Sequence, residues 1–172
     1  MIARKIKKSL VVILTLLMIF SVATTVTHTS EVSAASNKAT VYKLLQSYGY
    51  NKAACAGIMA NIQAESSFNP NCKSGSCYGL CQWTGSRKSK LKAYARKNGM
   101  NYKSLKAQVA YLNYELKTSY KSVYKTLKSV SNSKSGAYKA AYKFCYSFER
   151  PASKAKRSKQ RGAKARTMYA TL

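Results

Sequence analysis

Asn51-Lys52-Ala53-Ala54-Cys55-Ala56-Gly57-Ile58-Met59-Ala60-Asn61-Ile62-Gln63-Ala64-Glu65-Ser66-Ser67-Phe68-Asn69-Pro70 is the stretch on which the fold turns. Asn51 or Lys52 opens a helix, Ala54, Ile58 and Ile62 recur at helical spacing, and the run should end near Glu65 or Ser67. Nearly every residue before Glu65 is apolar or small. A carboxylate ending such a helix sits half in a core and half at the mouth of the loop that follows. Desolvation there raises a carboxyl pKa, which a general acid working near neutral pH requires. A Glu on a solvated helix face is the plainer alternative.

Outward from this stretch the pattern stays helical. On the N-terminal side Thr40 is a candidate N-cap, with Val41, Leu44 and Leu45 as a short apolar face. On the C-terminal side, Phe68 to Ser86 is rich in Asn, Ser, Gly and Cys, the composition of loops and short hairpins. A third helix is expected from about Arg87 to Asn98, stopped by Gly99. Leu105, Val109, Leu112 and Leu116 form the clearest amphipathic stripe. Further helices are expected over Lys121 to Ser129 and Gly136 to Phe148, with Pro151 ending the latter. From Ser153 on, Ala alternates with Lys and Arg, as in a final helix or a disordered basic arm. No internal repeat is present. The fold class is all-α with at most one small hairpin.

The first 35 residues stand apart. Arg4, Lys5, Lys7 and Lys8 precede an apolar run from Leu10 to Phe20, and a small-residue stretch ends at Val32-Ser33-Ala34-Ala35. That is the layout of a secretory signal peptide, with cleavage expected after Ala34 or Ala35. The apolar core is short against the ~20 residues of a bilayer-spanning helix, so no stable membrane anchor is expected. The remaining residues, 36–172, make one small domain by length, and a monomer is expected. Removing the leader takes four of the 31 Lys and Arg, one of the four Glu and the single His, leaving a net charge of +24. Such a charge draws a protein to polyanions. For an exported chain these are teichoic acids, acidic lipid headgroups and the cell wall, and nucleic acid is not the expected partner.

The same composition prunes the chemistry. Without His, Ser-His-Asp and Cys-His nucleophilic machinery is excluded. The chain has no Asp, and without Asp or His neither a zinc nor a calcium site is well supplied, so no metal or cofactor is expected. Acid–base work falls to Glu65, Glu115 and Glu149. Five cysteines remain: Cys55, Cys72, Cys77, Cys81 and Cys145. Export makes disulfides the default, with Cys72–Cys77 and Cys81–Cys145 as the expected pairs. Cys55, in its Ala-rich run, reads as a small buried hydrophobe.

Asn61-Ile62-Gln63-Ala64-Glu65-Ser66-Ser67-Phe68-Asn69-Pro70 resembles the catalytic segment of the lysozyme-like superfamily. Tyr78-Gly79-Leu80-Cys81-Gln82-Trp83-Thr84-Gly85, Leu112-Asn113-Tyr114-Glu115-Leu116 and Phe148-Glu149-Arg150-Pro151 narrow the resemblance to the phage tail lysozyme family. Together these segments cover roughly residues 40 to 170. The resemblance implies a compact helical lysozyme-like domain with its cleft beside the acidic helix end. It also implies cleavage of the β-1,4 bond between N-acetylmuramic acid and N-acetylglucosamine, with peptidoglycan as substrate. Glu65 matches the family's catalytic acid. Gln82 matches a position that lines the cleft in related lytic transglycosylases. Tyr78 and Trp83 lie close by and either stack on sugars or pack in the core.

Glu149 and Glu115 are the candidate second carboxylates. Glu149 with Arg150 also reads as a brace at a helix end, and Glu115 as a helix-surface or cleft-wall residue. Two-carboxylate glycosidases hold their acids about 5–5.5 Å apart when retaining and about 6.5–9.5 Å apart when inverting. If neither candidate faces Glu65, a single-acid route follows. Glu65 would then activate water, or the muramic C6 hydroxyl to give the 1,6-anhydro product of a lytic transglycosylase. A non-enzymatic cationic antibacterial or wall-binding protein is the rival from another class. A secreted, extracellular or wall-associated location accompanies all of these readings.

Overall fold

The Glu65 helix forms where expected, and the molecule is arranged around it. A computed structural model describes residues 33–172, of which Asn37–Leu172 form one body. The leader expected over 1–35 lies almost wholly outside the described residues. In chain order the elements are α1 (33–47), α2 (Lys52–Ser66), the two-residue strands β1 (Lys73–Ser74) and β2 (Cys77–Tyr78), α3 (Gly85–Lys97), α4 (Leu105–Thr118), α5 (Lys121–Ser129), α6 (Lys134–Phe144) and α7 (Lys154–Thr171). The all-α reading with one small hairpin holds. Among the described residues no helix is long and apolar enough to cross a membrane.

Asn51 caps α2 by accepting a hydrogen bond from the Ala54 amide at 2.8 Å, and its own amide donates to the Val130 carbonyl at 2.8 Å. From Ala53 to Ile62 every residue is buried. A helix apolar on all sides belongs inside a core, and α2 runs through the middle of this one, packed against α6 and α7. Gly57 permits the contact with α6: a Cβ there would lie 2.5 Å from the Ala140 Cβ. Asn61, fully buried, donates to the Gly57 and Ala141 carbonyls at 2.9 and 3.2 Å, tying the same two helices.

Three elements differ from expectation. α3 begins at Gly85, ahead of Arg87, with Thr84 as its extended N-cap residue. α6 starts at Lys134, where Ser133 accepts from the Gly136 amide at 3.1 Å, and its α-helical part ends at Phe144. A π-helical turn, Cys145–Glu149, replaces the expected continuation, and Arg150 at φ 53° closes it. The basic tail is a helix. Its buried residues are Ser158, Gly162, Ala165 and Met168, mostly small and at helical spacing, so α7 approaches its neighbours closely while most of its Lys and Arg face outward, Arg161 excepted. A Cβ on Gly162 would stand 2.5 Å from the Tyr138 ring.

The cysteines require a correction. All five are free, and neither the Cys72–Cys77 nor the Cys81–Cys145 disulfide is formed. The hairpin register sets Ser74 opposite Cys77 and Lys73 opposite Tyr78, which leaves Cys72 further along the ladder and out of reach of Cys77. The Cys81 thiol is buried and pushed up chiefly by desolvation. The Cys145 thiol is likewise raised by burial, offset in part by Ser158 and Arg161. Cys55 is buried as expected, and desolvation pushes its thiol up to about 12. A thiol reagent applied to native protein at neutral pH should therefore react promptly with two groups, the half-exposed Cys72 and Cys77, and with the other three only after denaturation. Fewer than five reactive thiols in denaturant without reductant would contradict this.

Candidate active site

Glu65 lies in the last turn of α2, and the chain reverses immediately after it. Ser67 and Phe68 both adopt left-handed backbone, at φ 49° and 63°, and the Ser67 amide donates back to the Gln63 carbonyl at 2.9 Å. Phe68 is buried and anchors the turn. Ser66 Oγ stands 3.1 Å from both the Ile62 and Leu80 carbonyl oxygens, joining the helix end to the loop that follows β2. That loop is held from behind by Gln108, a fully buried residue of α4. Its Oε1 accepts from the Leu80 amide at 2.8 Å, and its Nε2 donates to the Pro70 and Tyr102 carbonyls at 2.7 and 3.1 Å. Gly79 is required beside it, because its φ is 76° and a Cβ would meet Gln108 Oε1 at 2.6 Å.

The Glu65 carboxylate is partly open to solvent, with 24 % of its side chain exposed. Arg161 of α7 donates from Nη2 to Glu65 Oε1 at 2.9 Å. The other carboxylate oxygen has no partner among the described residues. Arg161 was invisible in the sequence, 96 positions from its partner within a helix of many similar cations.

The other two carboxylates are placed quite differently. Glu115 is buried and held on both oxygens. Arg87 Nε donates to Oε1 at 2.7 Å and Nη2 to Oε2 at 3.0 Å, and Trp83 Nε1 donates to Oε2 at 2.9 Å. Burial disfavours charge on Arg87, but the hydrogen bonds and charge of Glu115 more than offset it. The Arg87 guanidinium also lies 4.4 Å from the Phe148 ring centroid. Glu149 closes the π-helical turn with Oε1 buried and unpartnered. Burial, followed by the negative charge of Glu65, raises its carboxyl well above the usual range, opposed by Arg87 and Arg161. Both its burial and the neighbouring Glu65 thus favour the protonated form of Glu149.

That assignment has a measurable consequence. A carboxyl raised in the folded state keeps its proton where the unfolded chain, near pH 4.3, has already lost it. Its burial therefore costs nothing below the unfolded value, and stability falls as pH rises from there toward the folded value. Glu149→Gln should match the wild-type melting temperature at pH 4 and exceed it progressively toward neutrality. A difference independent of pH would count against a neutral Glu149.

The remaining sequence candidates pack inward. Trp83 is fully buried, 5.6 Å edge-on from Tyr111, and its indole N–H is taken by Glu115. Tyr78 is buried against Tyr102, and its hydroxyl donates to Asn71 Oδ1 at 2.8 Å. Both rings are thus buried in this structure. Gln82, at φ 46°, donates from Nε2 to the Gly79 and Cys72 carbonyls at 2.9 and 3.3 Å, while its Oε1 is buried without a partner. Its amide therefore clasps the loop. Among the described residues no group of three or more His, Cys, Asp or Glu converges as a metal site.

A family model described as phage tail lysozyme matches residues 36–172, most of the chain. No curated protein matches it.

Proposed function

The chain belongs to the phage tail lysozyme family, which indicates a peptidoglycan-cleaving enzyme of lysozyme type, and from that premise we propose that it hydrolyses the muramic acid–glucosamine β-1,4 bond with Glu65 as general acid. One observation carries this reading. Of the three glutamates in the described residues, Glu65 keeps one carboxylate oxygen unpaired on a partly exposed side chain, whereas Glu115 is locked by Arg87 and Glu149 has Oε1 buried and its ionisation disfavoured. Proton delivery to a bound glycan therefore falls to Glu65.

The geometry supports the following roles. Arg161 holds Oε1, which leaves the other oxygen to carry the proton toward the glycosidic oxygen. As the bond to the leaving sugar breaks, the electron pair stays on that oxygen and the proton moves to it from Glu65. The Glu65 carboxylate then accepts a proton from the attacking water. Neither other carboxylate among the described residues offers a free nucleophile for a covalent intermediate, because burial and Glu65 disfavour charge on Glu149 and Glu115 is paired with Arg87. The single-acid route also admits attack by the muramic C6 hydroxyl, giving the 1,6-anhydro product. Mass spectrometry of the released muropeptides distinguishes the two: hydrated reducing ends support hydrolysis, and anhydro ends would replace it with transglycosylation.

The surface charge belongs to the same proposal. The exposed cations of α7, among them Lys156, Arg157, Lys159 and Lys164, would hold an exported enzyme on teichoic acid and other anionic wall polymers. This attraction weakens with salt, since the screening length is about 8 Å at physiological ionic strength.

A further inference from the structure

Away from Glu65 the surface carries an open groove of about 790 Å³. Lys90, Tyr94 and Lys97 line one wall at helical spacing along α3, and Tyr111, Tyr114 and Thr118 line the other along α4. The Arg87–Glu115 pair also contributes to it, while Glu65, Gln82 and Arg161 do not. The volume falls in the range of small-ligand sites, roughly 300–1,000 Å³.

Two features indicate the occupant. The first is an aromatic wall that the fold leaves uncovered. Tyr114 is 49 % exposed, and its ring lies 5.0 Å from that of Tyr94 at 33°. Such rings offer an apolar face with a polar edge, suited to the C–H face and hydroxyls of a sugar. The second is charge. Glu115 is the groove's acidic residue, and both of its oxygens are taken by Arg87. Lys90 and Lys97, both exposed, make no ion pair among the described residues. Cations flanking a concave surface focus positive potential into it.

We propose that this groove is a second binding site, taking an anionic sugar or polyol unit of a wall polymer, with its ring or chain against Tyr94 and Tyr114 and its phosphate or carboxylate between Lys90 and Lys97. The site binds without cutting, and so retains the protein on the wall independently of Glu65.

The test is a binding titration with residues 36–172 carrying Glu65→Gln, so that cleavage cannot distort it. Three probes are used at fixed salt: a polyol-phosphate teichoic acid, a carboxylate polymer such as polygalacturonate, and a neutral chitin oligosaccharide. Lys90→Gln/Lys97→Gln is compared with Lys43→Gln/Lys139→Gln, an equal charge loss at exposed positions outside both the groove and α7. The groove pair should weaken at least one anionic probe by roughly tenfold, the scale of two lost surface ion contacts, and the control pair by far less. The more affected probe identifies phosphate or carboxylate as the ligand group. Tyr114→Ala, at an exposed position, should weaken the same probe several-fold with the melting temperature unchanged. Equal losses for the two double variants would overturn the proposal in favour of diffuse charge attraction. Groove-dependent binding of the neutral oligosaccharide alone would also overturn it. Because binding is read without catalysis, failure here leaves the role of Glu65 untouched, and an inactive enzyme leaves this result standing.

Discussion

Glu65→Gln should lower peptidoglycan turnover by about 10²- to 10⁴-fold, the usual size of a general-acid contribution, with little change in melting temperature. Gln keeps the shape of Glu and can still accept the Arg161 hydrogen bond through its carbonyl oxygen, but it has no proton to give. The side chain is partly exposed and lies at a helix end, so its exchange leaves no cavity. The comparison is made as initial rates on purified wall, with the melting temperature of each variant alongside. Equal lysis by the two proteins would favour the cationic wall binder, in which charge rather than bond cleavage does the damage.

Arg87→Ala should produce the largest loss of stability that a single substitution causes here. It strands Glu115, a buried carboxylate that would keep only its Trp83 bond and the long contact, 3.5 Å, with the Tyr111 hydroxyl. Breaking one side of a buried ion pair costs about 3–5 kcal/mol, a large share of the roughly 5–15 kcal/mol that holds a domain folded. The melting temperature should fall by at least about 10 °C. Removing both charges with Arg87→Met and Glu115→Leu should recover much of this loss, because apolar replacements of a buried pair are often close to neutral. If Arg87→Ala melts like the wild type, the pair is not the brace that its geometry indicates. Near-normal stability with abolished activity would instead give Glu115 a part in the chemistry.

What the sequence made legible follows from where its information is local. The apolar run Ala53 to Ile62 admits only a buried helix, and its final Glu is conspicuous among so many cations. The Leu105–Leu116 stripe marks α4 for the same reason, since an apolar face at helical spacing needs a partner surface. α7 was ambiguous because its buried face is made of Ser158, Gly162 and Ala165, which carry little hydrophobic signal. The spacing of these small residues was the available clue to a closely packed helix. The π-helical turn at Cys145–Glu149 had no local signature.

The site itself was read less completely, because its decisive contacts join residues far apart in the chain. Glu65 and Arg161 are 96 positions apart, Arg87 and Glu115 28, and Gln108 reaches back 38 to Pro70. Composition could reduce the acids to three but could not say which cation each one pairs with. Trp83 and Tyr78 sit in a motif-bearing loop, which made stacking on sugars as natural a reading as burial. The disulfide expectation rested on export alone, and the hairpin register separates Cys72 from Cys77.

The most direct test is to digest purified peptidoglycan with residues 36–172, reduce the products with borohydride, and identify the sugar alcohol after acid hydrolysis. The account predicts reduced muramic acid, in amounts that rise with digestion time and vanish for Glu65→Gln. Reduced glucosamine, free stem peptides without new sugar ends, or the same yield from the Glu65 variant would contradict it.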